Sequence, residues 1–192
     1  MRSDVIEMIP QGQFSRILEI GGGEFPTLLT LRDKYNAEIW GVDIHKCDRR
    51  DINLIIGSIE DQNIVSKIPH NYFDLVLAND VVEHIADTDL FFSNIREKLN
   101  DNGYLVMSVP NIRQIRSAYH IFVNGRFPRH ESGLFDRTHL RWFCKKDILE
   151  LAARHDFNVI NVQSVGRFVP AAIRKTAIAE FLALQNLFVF SK

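Results

Sequence analysis

A chain of 192 residues, 46% of them hydrophobic, can bury one ample core and has little left for a second, so one domain over 1–192 is expected. Its 23 basic and 24 acidic side chains nearly cancel, to a formal charge of -1, which removes any global argument for a polyanion partner and leaves only local clusters to consider. Cys47 and Cys144 stand far apart without a C-x-x-C spacing, which argues against a disulfide framework and a cysteine zinc site and fits a reducing cytoplasm.

Along the chain, Asp4 and Glu7 fall where a signal peptide needs an unbroken apolar run. RILEI (16–20) then reads as a first strand, Pro26 to Tyr35 as a helix with proline in its first turn, and EIWGVD (38–43) as a second strand. Further strands are predicted at NLIIG (53–57), FDLVLAN (73–79) and YLVMSV (104–109), with helices near 61–68 and 87–99. Residues 111–143 break this rhythm. They are basic and aromatic, with Gly125, Pro128 and Gly133 cutting them into short pieces, as an insertion would be. A helix over 146–155, a strand over 158–165, a helix over 171–184 and a last strand at LFVF (187–190) complete seven strands. The late helix carries an apolar face, and its periodicity leaves open whether that face packs on the sheet or on a second subunit in a homodimer. The most apolar tract, Ala177 to Phe190, is broken by Glu180, Gln185 and Asn186 and is too short for a bilayer. A cytoplasmic protein without a transmembrane segment is expected. The alternation of strands and helices implies an α/β fold with a parallel, doubly wound sheet.

The first strand runs directly into Gly21-Gly22-Gly23 and then a helix. Such a turn offers unpaired backbone N–H groups and the positive end of a helix dipole, which suits an anionic or carboxylate-bearing ligand. Asp43 ends the second strand, where a carboxylate can accept hydrogen bonds from both hydroxyls of a ribose. A nucleoside cofactor fits both features. A nicotinamide-dependent reductase uses similar parts, but Pro26 occupies the last place of a G-x-G-x-x-G. No tyrosine of the chain has a lysine four residues later, so the tyrosine–lysine pair of the short-chain reductases is also missing.

The ordered motifs resemble those of the class I S-adenosylmethionine-dependent methyltransferases over nearly the whole chain. Glu19-Ile20-Gly21-Gly22-Gly23 is similar to their first motif, GVDI (41–44) to the second, GSIE (57–60) to the third and FDLVLANDVVEHI (73–85) to the fourth. The fourth is similar in pattern to the branch that includes the ubiquinone-biosynthesis O-methyltransferases. The resemblance implies a Rossmann-like seven-stranded sheet, mostly parallel, with a final antiparallel strand, and S-adenosylmethionine as cofactor. It implies that Glu19 and Gly21 to Gly23 serve the methionine end and that Asp43 and Ile44 serve the ribose side. Ser58 and Ile59 would meet the adenine, and Asn79 and Asp80 would lie beside the methionine and its methyl. Two residues depart from the pattern. Phe25 replaces the third glycine, where it either tilts the first helix and covers the methionine group or packs into the core, and Ser58 replaces an acidic residue.

For a hydroxyl acceptor, histidine is the natural base. His84 follows Asp80 by four residues, so on a helical turn the carboxylate could fix the imidazole tautomer; otherwise Glu83 and His84 simply open a helix. His139 lies in LFDRTHLRWF (134–143) beside Asp136. That run is similar to one in methyltransferases linked to bacterial surface-glycan and polysaccharide biosynthesis. Asp136, Arg137 and Arg141 could equally form a clasp that fixes the segment to the body. Eight arginines and lysines against two acids in 111–146, among aromatic side chains, suit a nucleotide-linked or lipid-linked sugar. Nucleic acid ranks lower, because Asn79-Asp80-Val81-Val82 replaces the N-P-P-Y signature of amino-methylating enzymes. Asp80, His84, Asp136 and His139 could in principle converge on a metal, but no linear spacing demands one and none is expected. The reading is an O-methyltransferase for a small or glycan-related acceptor, with a catalytically inactive, methyltransferase-like binding or regulatory subunit as the alternative.

Overall fold

The computed structural model describes residues 1–166 and 169–192. Seven strands form one sheet: β1 (Arg16–Ile20), β2 (Glu38–Asp43), β3 (Asn53–Ile56), β4 (Phe73–Asn79), β5 (Leu99–Pro110), β6 (Asn158–Val165) and β7 (Gln185–Ser191). Their order is β3-β2-β1-β4-β5-β7-β6. The first five are parallel neighbours, and β7 runs antiparallel between β5 and β6. The expected mostly parallel sheet with an antiparallel last strand is therefore present. The chain winds one way from β1 to β3 and the other way from β4 to β5, so the order reverses between β1 and β4. In open α/β sheets ligands bind outside the carboxyl ends of the strands at that reversal. The register aligns Ile20 with both Val42 and Ala78, which brings Gly21, Asp43 and Asn79 to one edge.

Helices α1 (Ser3–Met8), α2 (Pro26–Tyr35), α3 (Gln62–Val65), α4 (Thr88–Lys98), α5 (Ile115–Ala118), α6 (Lys145–Arg154) and α7 (Ala177–Leu182) accompany the sheet. One core packs α4 and α6 on it through Phe91, Phe92, Ile95, Ile148 and Leu151. The other packs α1 and α2 through Val5, Met8, Leu28 and Leu31. Both faces are covered, which is why the central strands read as unbroken apolar runs.

Several elements differ from the sequence reading: β5 begins at Leu99 rather than Tyr104, and β7 spans Gln185–Ser191 rather than 187–190. The helix expected over 61–68 is reduced to α3, whose N-cap Asp61 accepts from Asn63 N at 2.8 Å. The helix expected over 171–184 is divided into a 3-10 turn (Ala171–Ile173) and α7. Thr176 Oγ1 donates to the Ile173 carbonyl at 2.8 Å, competing for the acceptor that a continuous helix would give to Ala177. α1 was not expected, because six residues hold too little periodicity to register. Its Val5 and Met8 are buried, and Arg2 just before it reaches Asp80. Among the described residues no helix is long and apolar enough to cross a membrane. The apolar face of the late segment leaves Ile178 and Phe181 exposed.

Candidate active site

The glycine turn after β1 builds the first half of the site. Gly21 has φ 69°, and a Cβ there would lie 2.7 Å from Val81 Cγ2, so both its backbone and its surroundings call for glycine. Gly23, at φ 58°, donates its N–H to Asp43 Oδ2 at 2.8 Å, and His45 N donates to Asp43 Oδ1 at 2.8 Å. Two backbone donors thus hold the Asp43 carboxylate in place while each oxygen keeps a lone pair for a further donor. A cavity of about 500 Å³ opens here, lined by Gly21, Asp43, Ile44, Ser58, Ile59 and Asp80 with apolar Ile20, Val42, Val81 and Ile85. Ser58 Oγ accepts from Glu60 N at 3.1 Å, which leaves its O–H free to donate.

Four residues expected at the cofactor lie outside this lining. Glu19 is buried beneath the turn and accepts from Leu28 N at 3.2 Å. Gly22 backs onto the Phe25 ring, and Gly23 is turned onto Asp43. Asn79 holds both side-chain polar atoms buried; its amide helps to hold down the Glu19 carboxyl, and no closer partner stands among the described residues. Its remaining hydrogen-bonding capacity is open to a ligand with polar atoms. Phe25 belongs to the core. It is 0% exposed, and its ring fills the space that a side chain on Gly22 or Gly41 would need. It does not line the cavity.

Burial pushes the Glu19 carboxyl up to about 7 from its ordinary 4.5. An acid whose pKa is raised in the folded state binds more protons folded than unfolded between those values, so its contribution falls as pH rises from about 4.5 to 7. The loss is about 3 kcal/mol once both states are ionised. Glu19→Gln is expected to remove that slope: denaturant unfolding at pH 5 and pH 8 should show the wild type losing about 2 kcal/mol or somewhat more relative to the variant, since part of the loss has already occurred by pH 5.

A second cavity, about 600 Å³, adjoins the first and shares Asp80 and His84 with it. Its lining includes Asp4, Glu83, Asp136, His139, Arg174 and Gln185. Asp80 follows β4 at φ 55°, pairs with Arg2 Nη1 at 2.9 Å, and accepts from Ser108 Oγ at 3.0 Å and Gln185 Nε2 at 2.7 Å. It does not orient His84, contrary to the i, i+4 expectation. Residues 82–84 form a single 3-10 turn after a left-handed residue, so α-helical stacking never arises. His84 Nδ1 donates instead to Thr138 O at 3.2 Å, and His139 Nδ1 to Leu134 O at 3.0 Å, which leaves each Nε2 with a lone pair. The two rings meet edge to face at 4.8 Å between centroids. Burial pushes the His139 imidazole below its ordinary pKa, keeping it neutral. Asp136 lines the cavity, but Thr138 N and then Thr138 Oγ1 occupy Oδ1 at 2.8 and 2.7 Å and hold its carboxyl below the usual range.

Glu83 is the residue that sequence reasoning passed over. It does not bond the start of a helix: both carboxylate oxygens are buried and without a partner among the described residues, and burial, with the Asp80 charge adding to it, pushes the group up to about 8. Its backbone carbonyl accepts from Leu140 N at 2.9 Å and Arg141 N at 3.2 Å, which ties the 134–143 run to the turn after β4. Arg141 also donates to the carbonyls of Ile85, at 3.3 Å, and Ala86. The clasp therefore runs through Arg141 and backbone, while Arg137 pairs outward with Glu131 at 2.8 Å. Arg113 and Lys145 both pair with Glu180. Much of the basic cluster is thus spent within the protein; among the described residues the lining of the second cavity holds Arg174 together with Asp4, Asp80, Glu83 and Asp136, of which Asp4 and Asp80 pair with Arg2.

A family model described as a methyltransferase domain matches residues 1–162. The chain belongs to the methyltransferase family. Its fold is that of the class I S-adenosylmethionine-dependent enzymes: a methyltransferase of that dependence from Archaeoglobus fulgidus is similar with a TM-score of 0.71, at 18% identity, covering 100% of this chain and 92% of the other. The 1,6-didemethyltoxoflavin-N1-methyltransferase of Burkholderia thailandensis, solved with 1,6-didemethyltoxoflavin and S-adenosylhomocysteine, gives 0.62 at 15% identity over 94% of this chain and 72% of that one. At such identities the comparison is one of fold. Among curated relatives, the ubiquinone biosynthesis O-methyltransferase of Azorhizobium caulinodans is 47% identical over 45 residues, 23% of this chain and 17% of that protein. The nonribosomal peptide synthetase CymA of Salinispora arenicola is 29% identical over 104 residues, 48% of this chain and 1% of the synthetase. The methyltransferase thus spans a small part of the curated relatives it matches.

Proposed function

We propose that this methyltransferase moves the methyl group of S-adenosylmethionine to a hydroxyl of a small, glycan-related acceptor. The observation that carries the reading is the pair of adjoining cavities with Asp80 and His84 as their common wall, one suited to an adenosyl group and the other lined by imidazoles and carboxylates. S-adenosylmethionine supplies an electrophilic methyl on a sulfonium. The chain supplies position and a dry site, which is most of what an in-line displacement requires. Asp43 accepts the ribose hydroxyls, Ser58 and Ile59 meet the adenine, and Asn79 completes its amide hydrogen bonds on the methionine end. His84 and His139, with lone pairs on Nε2, take the hydroxyl proton. In the second cavity Asp4 and Asp80 are already paired with Arg2 and burial keeps Glu83 largely protonated near neutral pH, so the described lining suits a polyhydroxyl at the reacting end.

The alternative, an inactive binding or regulatory subunit, would draw support from a Phe25 ring covering the methionine group; that ring is in the core and outside the lining of the first cavity. The test is calorimetry with S-adenosylmethionine and S-adenosylhomocysteine, followed by a labelled-methyl screen of sugars and nucleotide sugars. Binding at one site per chain with label appearing on an acceptor oxygen is expected. A folded protein that binds neither compound would end the proposal.

A further inference from the structure

We infer that Glu83, His84 and His139 form a binding site for a divalent first-row transition-metal ion in the acceptor cavity. One ligand atom from each lies within 4.8 Å of the other two, and His139 Nε2 is 4.0 Å from Glu83 Oε1. Metal–ligand bonds of about 2.0–2.2 Å allow opposed ligand atoms to stand about 4.4 Å apart, so shifts of an ångström or less complete the site. Two imidazoles and one carboxylate, with open positions toward a cavity, suit ions of the zinc, manganese, iron and cobalt group rather than calcium or magnesium.

Two further features point to an ion rather than to chance proximity. Glu83 has a side chain 2% exposed, yet neither carboxylate oxygen has a hydrogen-bond partner among the described residues. A buried carboxylate without a donor is costly, and a cation supplies what it lacks. Each histidine, moreover, spends its Nδ1–H on a backbone carbonyl, Thr138 O for His84 and Leu134 O for His139. That outer bond is the one metal-binding histidines usually make, because it fixes the ring and leaves Nε2 as the donor. Leu140 N and Arg141 N on the Glu83 carbonyl hold the two ligand-bearing segments together. No metal was expected because linear spacing demanded none; the residues weighed for one were Asp80, His84, Asp136 and His139, whereas packing brings Glu83 rather than Asp80 or Asp136 to the two histidines.

The role of the ion rests on the function proposed above; the site itself does not. With an acceptor hydroxyl in an open position, the ion lowers the pKa of that hydroxyl, as metal ions do for bound water. The proton passes to solvent water, an oxygen–carbon bond forms to the methyl, and the sulfur–carbon bond breaks with its electron pair remaining on sulfur. His84 and His139 then serve as ligands instead of bases.

The test uses the full chain stripped with a chelator and titrated with cobalt chloride, followed by visible absorption, and with zinc chloride, followed by calorimetry. One ion per chain is expected, with binding weakened about tenfold or more in both His139→Ala and Glu83→Gln. Circular dichroism checks that the variants fold; Glu83→Gln keeps shape and volume and so decides the matter if His139→Ala does not fold. No cobalt band and no zinc heat in the wild type, or unchanged affinity in Glu83→Gln, would overturn the site. Because these titrations contain no S-adenosylmethionine, metal binding without cofactor binding leaves the site standing and removes the proposed function, and the reverse result removes the site alone.

Discussion

Asp43→Ala is expected to weaken S-adenosylmethionine binding by about 100-fold or more while leaving the fold in place. A hydrogen bond to a charged group contributes about 1.5–3 kcal/mol, and the carboxylate offers two to a ribose. Their joint loss, about 3–6 kcal/mol, exceeds two powers of ten in Kd. The variant also releases Gly23 N and His45 N, the two donors that Asp43 now holds, so the glycine turn loses its anchor to β2. Asp43→Asn should be nearly as weak, because its NH2 must face one of those backbone N–H groups, donor against donor. Calorimetry measures both, with thermal melting as the check on folding. An affinity for Asp43→Ala within about threefold of wild type would mean that the first cavity does not take the ribose.

Phe25→Ala is expected to destabilise the protein by about 3–5 kcal/mol, the range for emptying a buried aromatic site. For a chain of this size that lowers the melting temperature by about 6–20 °C. The ring is fully buried against Gly22, Gly41 and the α2 core, and nothing on the glycine side can collapse into the space without backbone movement. Phe25→Gly is expected to be only slightly milder. It relieves the left-handed backbone at φ 55°, worth about 1–2 kcal/mol, but leaves the same void. Neither variant should change cofactor affinity much at a temperature where it is folded, because the ring is outside the cavity lining. A large loss of affinity with little loss of stability would instead place Phe25 at the ligand.

The boundaries of β1, β2, β4, β6 and α2 were legible in the sequence, because each depends on local pattern: apolar runs, Pro26 at a helix start, and the glycines that end β1. The lining of the first cavity was legible for the same reason, since Gly21 and Asp43 belong to one βαβ unit whose geometry is set within the first fifty residues. Tertiary structure alone decided where the Phe25 ring goes, since a left-handed residue at a helix start gives no hint whether it points to ligand or core; the bare backbone of Gly41 on β2 supplied the room. Tertiary structure also decided the lining of the second cavity. Asp80 answers to Arg2, Ser108 and Gln185, while His84 answers to Thr138, and none of these partners is a sequence neighbour. Periodicity describes how a segment faces its core; which side chains converge across segments is settled by packing, and that is where Glu83, His84 and His139 meet.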